Sequence, residues 1–218
     1  MTTFQHIDLQ CPVCQTGFRS QAVVSTDSRG AKRTDFQTRV VGTQPLPYLI
    51  HTCSRCGYSG SADDFTNAAA VSMSLKERVW NELAPAVAKG PVCGSEKYEA
   101  AAKVAEWQRI GARHVAELLL RAAWCSVDEG DIEAERFFRR KAAWKFEEAL
   151  QEFDGVARDE RAVLTYLVAE LWRRVGNAKL ATHWFNRVGS EVMDAQTQRW
   201  VIQAARQQRD CPREWFEQ

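Results

Sequence analysis

The sequence predicts an α+β chain in two unequal parts, a small β-rich head over residues 1–70 and an all-α domain over residues 71–218. Three observations predict it. No Trp and no Glu occurs before Glu77, although the chain holds eight Trp. Two Cys-x-x-Cys pairs stand within the first 60 residues, which hold only three Leu but carry the β-branched runs Val23-Val24 and Val40-Val41. From residue 75 onward Ala, Glu, Arg and Trp recur at helical spacing.

In the head, residues 3–10, 18–26, 33–41 and 48–52 read as short strands. Asp27 to Ala31, with Ser28, Arg29 and Gly30, has the composition of a hairpin tip. Pro45 and Pro47 make the stretch 42–47 a strand-breaking loop. Two capping boxes follow, Ser61-Ala-Asp-Asp64 and Ser74-Leu-Lys-Glu77, the second being the better match. Helices are then expected over 75–88, 96–126 with a bend near Gly111, 131–153, 158–175, 178–188 and 191–209. A short turn is expected after Pro212, and Gly130, Gly155, Gly176 and Gly189 fall in the gaps.

The helical part echoes itself. Ala134-x-x-Phe137-Phe138 recurs 47 residues later as Ala181-x-x-Trp184-Phe185, behind Gly130 and Gly176 respectively, and Trp215-Phe216 echoes it again. The pattern resembles tetratricopeptide repeats, in which a small residue on each helix admits an aromatic from its neighbour. The best unit is 162–188, with Ala169, Trp172, Gly176, Ala181 and Phe185 at matching positions. The usual period is about 34 residues, so the longer spacing implies elongated helices. An ordinary helical bundle packing Ala against aromatics would produce the same spacing.

Cys11-Pro-Val-Cys14 and Cys53-Ser-Arg-Cys56 are separated by 38 residues. Each pair can supply two thiolates from one knuckle, and two knuckles complete the tetrahedron that Zn²⁺ prefers. A structural zinc ribbon is therefore expected, with Cys11, Cys14, Cys53 and Cys56 as ligands and no open position for catalysis. Four-thiolate binding contributes ~10–16 kcal/mol in small zinc modules, enough to order a head so poor in Leu and Trp. Gly57 permits the positive φ that such a turn often needs. Rubredoxin-like iron sites use similar knuckles, so spacing alone leaves iron open. A redox dithiol would ordinarily be one pair beside a βαβ pattern, which is absent. His6 and His51 lie near the pairs and are expected to be strand or surface residues. Cys93, Cys125 and Cys211 are expected to be packing or surface thiols.

Composition narrows the function. The chain has 29 Lys plus Arg against 28 Asp plus Glu, a formal charge of +1. That balance argues against a whole-chain polyelectrolyte coating nucleic acid or membrane. No segment approaches the ~20 apolar residues of a membrane span, and Met1 to Gln10 lacks the basic start and apolar run of a secretory signal. Paired cysteines without an export signal point to metal binding in the cytoplasm. No nucleophile elbow, phosphate-cradling glycine loop, zincin motif or dinucleotide fingerprint is present. Asp63-Asp64, Glu133 with Glu135, and Glu147-Glu148 read as caps or solvated faces, and His114 and His183 as packing or surface residues. No enzyme and no small-molecule substrate are expected.

Cys-Pro-Val-Cys, Phe18, Thr34-Asp-Phe36, Pro47-Tyr48, Cys53-x-x-Cys-Gly-Tyr58 and Phe65 together resemble a bacterial family catalogued only as domain of unknown function 2225. The stretch from Ala122-Ala-Trp124 to Gly130-Asp131, then Glu135 and Ala142, is similar to that family's later part. Gln15 stands where a glycine commonly follows the first pair, and Ser54 where a proline is common. The resemblance implies a zinc-ribbon head with a helical, tetratricopeptide-like tail; it leaves the activity open.

The expected function is a zinc-binding adaptor or scaffold that docks a protein or peptide. A repeat over 162–188 would put Tyr166, Glu170, Arg173 and Arg174 on the groove side, where the arginines could fork onto a peptide carboxylate. The same arginines could equally serve only the helix C-terminal dipole. Nucleic-acid binding is the alternative, through Arg19, Arg29, Lys32, Arg33, Arg39 and Arg55 with Phe18, Phe36 and Tyr48 for stacking. Against it, residues 1–70 carry six basic and five acidic side chains. A rubredoxin-like electron carrier is the third reading.

Overall fold

The computed structural model describes residues 1–27, 29–66 and 71–216, and within them the chain is α+β: a small β head leads into a succession of helices. Ser28 of the expected hairpin tip and the expected domain boundary at 70/71 lie outside the described residues.

Strand β1 (Thr3–Gln10) pairs antiparallel with β2 (Gly17–Ser25), starting from Gln10 opposite Gly17 at the first knuckle. A second hairpin, β3 (His51–Thr52) with β4 (Ser59–Gly60), closes around the second knuckle. Alternation along β1 sends Leu9 inward, while Asp8 stays outside and pairs with Arg19 directly across the ladder. Short strands cannot bury much, and the head's core is completed from elsewhere. Leu9, Val13, Tyr58 and Phe65 surround the cysteines together with Leu75, Val79 and Leu83, and with Val104 from a later helix.

Helix α1 (Ala62–Thr66) carries Phe65 into that core. Its expected capping box forms in part, with Asp64 Oδ2 accepting from the Ser61 backbone N–H at 2.7 Å. Helix α2 (Met73–Arg78) is capped by Ser72, which accepts from Leu75 N–H, and not by Ser74 as the box pattern predicts. The helix then widens into a π turn at Val79–Leu83 before α3 (Ala84–Val87). Pro85 has no N–H to give Asn81, so the regular bond is lost and the turn opens.

The single helix expected over 96–126 is two. Helix α4 (Gly94–Trp107) ends with Arg109 at φ 58° and Ile110 N–H on Ala105 O, and α5 (Ala112–Glu129) begins after Gly111. That left-handed terminus satisfies the last carbonyls and reverses the chain. Helices α6 (Ile132–Gln151) and α8 (Ala178–Arg187) start on Asp131 and Asn177, whose side chains accept from the third residue on. Helix α7 (Arg161–Arg174) lies between them, and each of α4 to α8 packs on the next. The helix expected from 191 begins only at α9 (Arg199–Asp210). Ala169, Trp172, Ala181 and Phe185 all lie in the helical core.

Residues 33–41 are not a strand. Only two isolated bridges form, Lys32 with Thr38 and Arg33 with Trp215. Phe36 has φ 70° and its N–H bonds Arg33 O, so the chain turns sharply and drives Thr34, Asp35 and Gln37 into the helices. Of the strand expected over 48–52 only β3 remains; the prolines instead set a 3-10 turn at Leu46–Tyr48. The turn expected after Pro212 is an extended tail, with Phe216 N–H on Lys32 O and Glu214 O accepting from Thr34 N–H. Among the described residues no helix is long and apolar enough to cross a membrane.

Candidate metal centre and the helical groove

The two knuckles are built alike. Cys11 N–H bonds Thr16 O and Gln15 N–H bonds Cys11 O; likewise Cys53 N–H bonds Tyr58 O and Gly57 N–H bonds Cys53 O. In each, the residue after the second cysteine is left-handed, Gln15 at φ 59° and Gly57 at φ 77°. A left-handed non-glycine residue costs roughly 1–2 kcal/mol. Gln15 offsets part of it with a 3.1 Å bond from its Nε2 to Pro12 O. At Gly57 the constraint is tighter, since a Cβ would lie 2.7 Å from Leu83 O in the π turn. Gly57→Ala is expected to lower stability by about 2 kcal/mol or more, read as a lower midpoint in urea denaturation of the metal-loaded protein.

The knuckles bring Cys11, Cys14, Cys53 and Cys56 together, with all four Sγ atoms within 4.8 Å of one another. Cys11 to Cys56 and Cys14 to Cys53 are both 3.5 Å. These separations are too long for disulfides, whose sulfurs lie ~2.05 Å apart. They are close to the ~3.8 Å edge of a tetrahedron with ~2.3 Å metal–sulfur bonds. Three of the cysteines are buried and Cys14 is half-buried. The cluster could hold a metal ion, and its four-thiol donor set fits a soft or borderline one. Thiols packed this closely divide their protons unequally. Pairing with Cys53 pushes Cys11 above the usual thiol range, while the neighbouring Cys11 and Cys56 draw Cys53 below it.

The remaining histidines and cysteines stay outside the cluster. His6 is exposed on β1, and His51 is buried with its Nδ1 2.8 Å from Ser20 Oγ; burial pulls its pKa below the usual value. Cys93 and Cys211 are exposed, and Cys125 lies in the helical core. His114 and His183 are exposed.

The four residues expected to line a groove do come together, but the expectation of an open surface is corrected. Tyr166 and Glu170 are fully buried. Their occupant is the chain's own 33–37 turn. Tyr166 OH donates to Thr34 O at 2.9 Å, and Glu170 Oε1 accepts from Thr34 Oγ1 at 2.7 Å. Arg173 and Arg174 both donate to Glu170, and Arg174 also reaches Thr34 Oγ1 at 2.8 Å. A carboxyl group buried in a helix interior needs such donors, because a buried unpaired polar group is strongly disfavoured.

Beside this lies a charge centre that sequence reasoning missed. Asp35 is fully buried, ion-paired and hydrogen-bonded to the equally buried Arg139, and accepts from Trp124 Nε1 at 3.1 Å. Arg139 also donates to Glu135 at 2.9 Å. Burial opposes ionisation of Asp35, but Arg139 and Arg174 outweigh it and hold the carboxyl at about 2. One signal was available: Arg139 interrupts the otherwise apolar stripe of Phe138, Ala142, Ala143 and Phe146 on α6.

A family model described as "Uncharacterized protein conserved in bacteria (DUF2225)" matches residues 4–211. No curated protein and no solved structure matches the chain.

Proposed function

The chain belongs to the bacterial domain-of-unknown-function family 2225, and from that premise we propose a non-enzymatic, cytoplasmic adaptor whose zinc-braced head and helical array dock a protein partner. The observation that carries this reading is the ligand set. All four thiols of the cluster come from the chain itself, and a tetrahedral ion so held has no position left for a substrate. Zinc then acts as a brace. The α5 to α8 succession, with Ala169 and Ala181 packed among Trp172 and Phe185, supports a tetratricopeptide-like array, and such arrays present grooves to peptides.

The basic residues of the head favour a protein over a nucleic acid. Arg19, Arg29 and Arg39 are paired with Asp8, Asp27 and Asp128, and Arg33 lies 3.9 Å from Asp35 and Glu214. Lys32 and Arg55 sit over the rings of Phe36 and Trp80. Phe18 and Tyr48 pack on Phe65 and Phe4. Side chains so engaged leave little for phosphates or bases to displace.

The test is a pull-down with tagged protein from bacterial lysate, with and without nuclease, alongside elemental analysis of the bait. Colourless protein with one zinc per chain and a stoichiometric protein retained after nuclease is the expected result. Nucleic acid bound with a steep salt dependence would replace this reading with the nucleic-acid one, and visible absorption from bound iron with the electron-carrier one.

A further inference from the structure

The chain fills one part of its helical surface and leaves the adjoining part open. Between α5 and α7 runs a trough of about 430 Å³, floored by Leu120, Phe146 and Leu164. Arg113 lines it and donates to both carboxylate oxygens of Glu160, at 2.5 and 2.9 Å, which ties α5 to the residue preceding α7. Phe36 and Trp124 also line it, and both belong to the buried 33–37 contact: Trp124 through its bond to Asp35, Phe36 through Tyr166 and Phe216.

The 33–37 segment therefore displays how this surface reads a peptide. An acidic side chain is taken by arginine and a tryptophan N–H, a backbone carbonyl by a tyrosine hydroxyl, and a ring by other rings. The trough adjoins that interface, and its rim carries both signs, Arg113 and Arg121 together with Glu117, Asp159 and Glu160. Trp124 is shared, the floor is apolar, and among the described residues lining the trough Arg121 is the cation without a close carboxylate. Its nearest carboxylate oxygen is 4.0 Å away on Glu117 and its side chain is 40% exposed. Arg113, by contrast, is already held by Glu160 and Glu117. Arg113 and Trp124 are eleven positions apart on α5, roughly 16 Å at ~1.5 Å per residue, the span of about five extended residues.

We propose that this trough binds an extended segment of a partner protein carrying a bulky apolar residue beside an aspartate or glutamate. The apolar side chain lies on the Leu120–Leu164 floor and the carboxylate pairs with Arg121. The inference rests on the adaptor reading and states the chemistry of the partner.

The probe is a phage-displayed random 12-residue peptide library panned on the zinc-loaded full chain, with enriched peptides then titrated by fluorescence polarisation. A consensus with an acidic residue next to Leu, Phe or Trp is expected. Its affinity falls about tenfold or more with Arg121→Glu, and recovers when the peptide's acidic residue is exchanged for lysine. Recovery separates a lost contact from a misfolded variant. No enriched motif, or a motif indifferent to Arg121→Glu, overturns the trough. A pull-down partner whose capture survives Arg121→Glu leaves the adaptor standing without this site. An Arg121-dependent motif alongside nucleic acid in the pull-down keeps the site and removes the wider reading.

Discussion

Removing the metal is expected to unfold the β head and to loosen the helices that share its core. Four-thiolate zinc contributes ~10–16 kcal/mol in small zinc modules, comparable to or larger than the ~5–15 kcal/mol that stabilises a typical domain. The head has little else to hold it, since Leu9 is the one buried side chain of β1 and β2, the second hairpin is two residues a side, and the head's core borrows Leu75, Val79, Leu83 and Val104. Chelation, or Cys53→Ser, should abolish the β signal in circular dichroism. Because Arg55 of the second knuckle lies over Trp80 in the π turn, the loss should also red-shift part of the tryptophan emission. Retention of α6 to α8 is expected, as among the described residues their core takes in Ile50 but no residue of β1 to β4. Acid should release the metal, because binding displaces protons from the cysteine thiols. Affinity therefore rises with pH, which a competition titration with a chromogenic chelator would measure. An unchanged spectrum after complete chelation would deny the metal its structural role.

Asp35→Ala is expected to be the most damaging single change away from the cysteines. It takes the fully buried carboxylate from Arg139, which keeps only Glu135 among the described residues, removes the acceptor of Trp124 Nε1, and takes from Arg174 a second carboxylate at 3.9 Å. Breaking a buried ion pair from one side costs about 3–5 kcal/mol, to be read from urea denaturation midpoints. Asp35→Leu with Arg139→Met should recover part of the loss, since the fully buried guanidinium leaves together with its carboxylate. The pH dependence follows in sign. The folded carboxyl sits at about 2 against an ordinary 3.8, so its stabilisation is present above pH ~4 and is lost as pH falls toward about 2. Its size is on the order of 2 kcal/mol. The stability gap between wild type and Asp35→Asn should accordingly be flat above pH ~5 and shrink below pH ~4. A gap that widened in acid would contradict the assignment.

The four-cysteine cluster was legible because a knuckle is a local object. Two thiols three positions apart must share one turn, and two such turns need only a hairpin each to meet. Most helices were legible for the same reason: Asp131 and Asn177 cap them, and the Ala and aromatic spacing marks their buried faces. Errors came where a long-range contact outweighed local preference. Thr34-Asp-Phe36 sits among β-branched residues and reads as strand, yet its side chains find better partners 89 to 136 positions away, in Trp124 and Glu170. The repeat register that grouped Tyr166, Glu170, Arg173 and Arg174 on α7 says nothing of what covers them.

The sequence by itself thus determined the α+β layout, the four-thiol cluster and the stacking of Ala against aromatics, each fixed by spacing within a few residues. Only the tertiary structure decided that the 33–37 turn occupies the helical surface, that Asp35 meets Arg139, and that the trough beside Arg121 stays open. Buried charges tolerate no vacancy, so the segment able to neutralise Arg139 and Arg174 while donating to Glu170 goes where they are. No local pattern encodes a partner more than a hundred residues away.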